Sequence, residues 1–140
     1  MTSSSTSQHS SFHYGIVSYD FHTYFKLNDP VQVEFAKSFK QTIENEFHNE
    51  LQSPNLMRVF KTHEKQLGPH PIGYGMFESD TRSPETFLKI LNYYQLNHGE
   101  LSVLIHPRSN QGDLIDHTKN ALWLGEKLPL LVEFLKSSVS

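Results

Sequence analysis

The sequence predicts one α+β domain in which two helices cover one face of a sheet and a C-terminal extension follows. Three observations carry that prediction. Four segments alternate β-branched or aromatic residues with others, two helical stripes each open on a capping residue followed by Pro, and their order is β-α-β-β-α-β.

"GIVSYDFHTYFK" (15–26) reads as the first strand, with Asp20, His22 and Tyr24 on one face and Tyr19, Phe21, Thr23 and Phe25 on the other. Asp29 then caps a helix with Pro30 in its first turn, and Val31, Phe35, Phe39, Ile43 and Phe47 recur at i, i+4 as its apolar stripe. "LMRVFKTHEKQ" (56–66) is the second strand and "LGPHP" (67–71) a turn. "IGYGMFES" (72–79) is the third strand, its glycines marking a bulge or a close backbone approach. Ser83 caps the second helix, with Pro84 at its start, Gly99 at its end, and a stripe of Phe87, Ile90, Leu91 and Tyr94. "ELSVLIHP" (100–107) is a short apolar fourth strand.

That order is the ferredoxin-like split βαβ unit, in which strands one and three are central and strand four lies beside strand one. The extension reads as a polar turn, a helix from "LIDHTKNALWLG" (114–125), and an edge strand or short helix in "KLPLLVEFLKSS" (127–138). The helices take one sheet face. The other face needs cover, which predicts that two copies pack face to face as a dimeric α/β barrel. The domain is expected over residues 14–140, behind a disordered Ser/Thr-rich leader at 1–13.

Composition narrows the function. The net charge of −3 argues against a nucleic-acid binder, and the absence of Cys excludes thiolate metal sites, disulfides and a Cys nucleophile. No apolar run approaches the ~18 residues of a membrane span, and the N-terminus lacks the basic start and apolar middle of a secretory signal. A cytoplasmic enzyme or binding module is the expectation.

Nine histidines are the distinctive feature. His22 sits mid-strand beside Asp20, His70 between two prolines in "GPHP", and His106 at the end of the fourth strand before Pro107. Contiguous strands can bring these three imidazoles to one sheet face as metal ligands, a donor set suited to non-haem Fe(II) or catalytic Zn(II). Asp20 is then a ligand, a base, or an orienter of His22. His117 is either a surface residue or an acid/base group carried over the site by the tail. Arg108 can hold a substrate carboxylate as a fork or remain a solvated loop residue. Trp123 reads as a core plug under the tail.

Taken together, "YDFHTYF", "LGPHPIGYGMFE" and "LSVLIHPRSNQGDLIDHTKNALWLGEKLPL" resemble the DOPA 4,5-dioxygenase family over about residues 17–132. His22, His70 and His106 fall on that family's recurring histidines. The family's bacterial first strand commonly reads Y-H-x-H-x-Y-F, and Asp20 stands here at the first of those histidines. The resemblance implies a dimeric ferredoxin-like enzyme that uses Fe(II) and O2 for extradiol cleavage of L-DOPA or a related catechol to a semialdehyde acid. Asp20 or His117 would handle protons, and Tyr24 and Tyr74 would wall the ring. The readings from other classes are a non-catalytic dimeric module binding a small aromatic ligand or a metal, and a zinc hydrolase.

Overall fold

The computed structural model describes residues 11–136. Most of the expected leader lies outside the described residues. Phe12, within them, packs edge-on against Tyr19 and Phe87 with ring centroids 5.0 and 5.9 Å away, so packing begins before the expected boundary at residue 14.

The elements in order are β1 (Ser18–Lys26), α1 (Pro30–Glu46), β2 (Arg58–Val59), β3 (Tyr74–Thr81), α2 (Pro84–Asn97), β4 (Ser102–Arg108), α3 (Asp113–His117), β5 (Leu122–Leu124) and α4 (Glu133–Lys136). They form one sheet of order β2-β3-β1-β4-β5, every pairing antiparallel. The first four strands follow the ferredoxin-like order, with β4 beside β1 as the topology requires. The sheet is open, ending at β2 and β5, so one chain by itself does not make a barrel.

Local chemistry sets the helices. Asp29 Oδ1 accepts the Gln32 amide at 3.1 Å, Ser83 Oγ accepts the Thr86 amide at 3.2 Å, and a proline follows each cap. The α1 stripe is narrower than the i, i+4 pattern suggests. Residues four apart advance 400° around a helix, so such a series drifts about 40° per step off one face. Val31 is accordingly 80% exposed, and the buried line runs through Ala36, Phe39, Ile43 and Phe47.

Residues opposite one another in an antiparallel pair share a face. Phe21 and Phe25 therefore join Phe77, Val103 and Ile105 against both helices, with Ile43, Ile90 and Tyr94 completing the core. Each such buried side chain stabilises the fold by roughly 1.5–3 kcal/mol. The opposite face carries Asp20, His22 and Tyr24 on β1, Glu78 and Asp80 on β3, and His106 and Leu104 on β4.

The tail departs from expectation. Its helix stops at His117, after five residues, and Leu122–Leu124 instead pairs with Val103–Ile105 as a fifth strand. Asn120 and Gly125 bracket those three residues, and Gly125 has φ +73°, which ends the strand. Trp123, Leu128 and Leu130 then pack on Tyr24, Met76 and Leu104, so the tail covers more of the helix-free face than its length suggested. α4 is the short helix anticipated as one option for the chain's end.

Gly75 shows how tightly β3 sits in this sheet. A Cβ there would meet the Phe25 ring and lie 2.8 Å from the His63 carbonyl, which bridges to Met76. Neither the backbone nor a core ring can step aside cheaply, so Gly75→Ala is expected to cost about 1–3 kcal/mol. Thermal or urea unfolding measures it, and an unchanged midpoint would show that Phe25 has room to move.

Candidate metal centre

β1 and β4 bring the site together. Asp20 pairs with His106 and His22 with Leu104 in the register, which sets the His22 and His106 rings nearly parallel with centroids 5.1 Å apart. Their Nε2 atoms are 3.1 Å apart. The one-turn α3 then carries His117 over β4, its ring centroid 3.8 Å from that of His106 and 5.9 Å from that of His22. Asp116 points elsewhere, accepting from the Ser109 amide and hydroxyl and from Asn120.

Two backbone carbonyls decide where protons sit on this cluster. His106 Nδ1 is 3.0 Å from the Pro107 carbonyl, and His117 Nδ1 is 2.8 Å from the Asp113 carbonyl. A carbonyl only accepts, so both Nδ1 atoms carry the proton and both Nε2 atoms present lone pairs. His22 Nδ1 has no partner among the described residues. Burial holds all these imidazoles below their ordinary pKa: His22 well below it, His106 at about 4, and His117 lowered too. Neutral rings with inward lone pairs are the form that ligates a metal.

One donor atom from each of His22, His106 and His117 lies within 4.8 Å of the others. The residues therefore fit a cation on an observation independent of any likeness. Two Nε2 atoms at 3.1 Å are joined either by a hydrogen bond from the His22 N–H to the His106 lone pair or by a positive ion that takes both lone pairs. An imidazole and carboxylate donor set without thiolate suits Fe(II) or Zn(II).

His70 is in the neighbourhood but belongs to neither close donor group found among the described residues. Its ring lies 4.7 Å from that of His22, and its Nδ1 meets the Tyr24 hydroxyl at 2.6 Å. Pro69 and Pro71 stiffen its turn, and Gln66 donates to its backbone carbonyl. Burial lowers its pKa to about 4. Tyr24, expected to wall a substrate ring, is fully buried against His70, with its own pKa raised by burial. Tyr74 packs in the same apolar cluster.

The carboxylates form the other half of the site. Asp20 is wholly buried, and Arg108 grips its Oδ2 through Nε at 3.1 Å and Nη2 at 2.8 Å. The fork expected to hold a substrate carboxylate is engaged inside the protein, because a buried anion needs a fixed cation. Asp20 Oδ2 also lies 3.6 Å from His106 Nε2. Glu78, opposite His22 on β3, forms a second close donor group with Asp20 and His22. Burial pushes Glu78 up to about 8, and the nearby Asp20 and Asp80 carboxylates add to the rise. Sequence reasoning passed over Glu78. The signal was there in its alternation with Tyr74 and Met76 on a central strand, where a carboxyl otherwise has no reason to be.

A cavity of about 350 Å³ opens beside this cluster, lined by His117, Trp123, Leu128 and the tail around them. Trp123 stacks on Tyr24 with centroids 6.0 Å apart, which ties the cavity wall to the His70 support.

This is the arrangement of a buried, histidine-rich site on the helix-free face of a ferredoxin-like sheet, and the comparisons with known proteins agree with it. Residues 19–134 match the Dopa 4,5-dioxygenase family, and the chain belongs to that family. A Botryotinia fuckeliana protein described as "Uncharacterized 21.2 kDa protein" is 35% identical over 124 residues, covering 84% of this chain and 63% of that one. The "DOPA 4,5-dioxygenase" of Amanita muscaria is 29% identical over 118 residues, covering 82% of this chain and 48% of that enzyme. The chain thus spans about half to two-thirds of the length of these curated relatives. A Nostoc punctiforme crystal structure described as a "putative dioxygenase" superposes with a TM-score of 0.68 at 26% identity, covering 87% of this chain and 93% of that one.

Histidines kept neutral by burial make stability depend on pH, and the sign is fixed. Their folded pKa values lie below the unfolded value near 6.5, so the unfolded chain binds more protons once pH falls below that. Their contribution is fully present above about 6.5 and is lost as pH drops toward 4, where His70 and His106 titrate in the folded state. The metal-free protein is expected to lose several kcal/mol between pH 7 and 4 on the order-of-magnitude scale of such shifts. Urea unfolding across that range checks it; a flat profile would mean these rings protonate freely in the folded chain.

Proposed function

We propose that this protein is a non-haem Fe(II) extradiol dioxygenase acting on L-DOPA or a related catechol. The observation that carries this is the convergence of His22, His106 and His117, two of them with Nδ1 on a backbone carbonyl and Nε2 facing the cluster. Membership of the Dopa 4,5-dioxygenase family supports the same reading. His117 takes the place among the donors that sequence reasoning assigned to His70. When bound, Fe(II) would draw the two catechol oxygens and O2 together and link them electronically.

The chain's own residues do the remainder. His70, steadied by the Tyr24 hydroxyl, stands beside His22 to take or return the catechol proton. Asp20, its charge taken up by Arg108, lies next to His106 and stiffens that strand pair. Trp123 and Leu128 present an apolar wall for the ring, and the tail limits water at the centre. In the net reaction the ring bond beside the diol breaks and both atoms of O2 enter the product. One carbon becomes a carboxylic acid and the other an aldehyde, and the substrate supplies all four electrons.

The test is anaerobic loading with Fe(II), addition of L-DOPA or another catechol, then air. Oxygen uptake matched to a yellow ring-opened product is expected. Catechol binding without oxygen uptake across several catechols assigns the non-catalytic module instead. His22→Ala, His106→Ala and His117→Ala should each lose most of their iron, whereas His70→Ala should keep it and turn over roughly 10²–10⁴-fold more slowly. Full iron in His117→Ala together with loss in His70→Ala would restore His70 to the ligand set.

The proposal includes a cytoplasmic homodimer. Arg58 stacks on Phe60 at 5.0 Å on the β2 side of the helix-free face, and Phe60 is 37% exposed. The tail covers the β4 side of that face, leaving this side for a second copy. Sedimentation at micromolar concentration should give twice the chain mass, and a monomer there means that the tail is the whole cover.

A further inference from the structure

We propose that the cavity beside His117 selects catechols whose side chain ends in a carboxylate and bears no amine, the dihydroxyphenyl-alkanoate class. The catechol half of this inference rests on the dioxygenase reading, and the selection of the far end rests on the cavity alone. Its charged lining residues are Lys119 and Lys127, and no Asp or Glu lines it. Neither lysine makes an ion pair with a described residue. Arg108 and Arg58, cations on the same sheet face, are held by Asp20 and Asp80.

A ligand whose diol lies toward the histidines and whose ring lies against Trp123 extends away from His117 toward these ammonium groups. A terminal carboxylate meets opposite charge there. An α-ammonium, as in an amino acid, meets like charge and no acceptor carboxylate. The volume of about 350 Å³ falls within the ~300–1,000 Å³ range of small-molecule sites. L-DOPA and 3-(3,4-dihydroxyphenyl)propanoate differ only by that amine, so the pair isolates the effect.

The experiment is calorimetric titration of the Fe(II)-loaded protein under argon, where no turnover occurs. The probes are 3-(3,4-dihydroxyphenyl)propanoate, L-DOPA and the uncharged 4-methylcatechol. Trp123, the single Trp, gives a fluorescence readout of the same binding. The propanoate is expected to bind about five- to tenfold more tightly than either of the others, the scale of two partly exposed ion pairs. Added salt should narrow that ratio. In Lys119→Glu/Lys127→Glu the order should reverse, and in Lys119→Met/Lys127→Met, which keeps the packing of the stems, the ratio should fall toward one. L-DOPA binding as tightly as the propanoate, or a preference unchanged in both variants, overturns the inference. Absence of oxygen uptake in the separate activity assay overturns the dioxygenase reading and leaves this binding order to stand or fall by itself.

Discussion

The His22 and His106 Nε2 atoms, 3.1 Å apart inside the protein, constrain most of what surrounds them. Both rings belong to strands whose backbone cannot shift without breaking the β1–β4 ladder. The pair is thus held at a separation that either a hydrogen bond or a bound cation can bridge. The carbonyls of Pro107 and Asp113 hold the Nδ1 protons of His106 and His117 in place. The tail must fold back for His117 to join, and Asp116 secures that return through the Ser109 amide and hydroxyl. Supports of this kind fix the tautomer and direction of a ligand imidazole, and they matter to affinity nearly as much as the ligand itself.

The two faces of the sheet divide the labour. Phe21, Phe77, Ile105 and their neighbours pack against α1 and α2, which supplies the stability needed to hold polar groups on the reverse side. That reverse side is graded. Tyr24, Met76, Leu104 and Leu128 make an apolar patch at one end, and Asp20, Glu78 and Asp80 gather toward the other with Arg58 and Arg108 as counter-ions. The histidines lie where the two zones meet. A catechol has the same asymmetry, with an apolar ring and a polar diol edge, so a site at this boundary can face both parts of it.

Most of the framework was legible in the sequence because local physics determines it. Asp29-Pro30 and Ser83-Pro84 are caps with one meaning, and the alternation in "SYDFHTYF" placed Asp20, His22 and Tyr24 on one face without any tertiary knowledge. The tail was harder. Leu122–Leu124 is too short to show a period, and its pairing with Val103–Ile105 depends on a chain reversal that no local signal specifies. The same reversal brings His117 to His22 and His106. His70, rigid between prolines, was a reasonable ligand from its sequence position; its ring stands 4.7 Å from that of His22 with Nδ1 on the Tyr24 hydroxyl, outside the close donor groups found among the described residues. The Arg108–Asp20 pair was hidden for a related reason: it depends on the β1–β4 register, which places Asp20 within reach.

On the proposed reading, charge links the metal to the catechol. Asp20 and Arg108 cancel, and Glu78, pushed up to about 8, is mostly protonated at neutral pH. The histidines are neutral, so the centre has almost no net charge of its own. A divalent cation added there would carry two positive charges into a space with little water, which is costly unless anions follow it. Glu78 can release its proton as one source of compensation, since a nearby cation favours the ionised carboxyl. A catechol that loses its protons on binding is the other, and it brings the negative charge to the cation itself. Glu78 and an anionic ligand would then share the compensation that Asp20, neutralised by Arg108, does not supply.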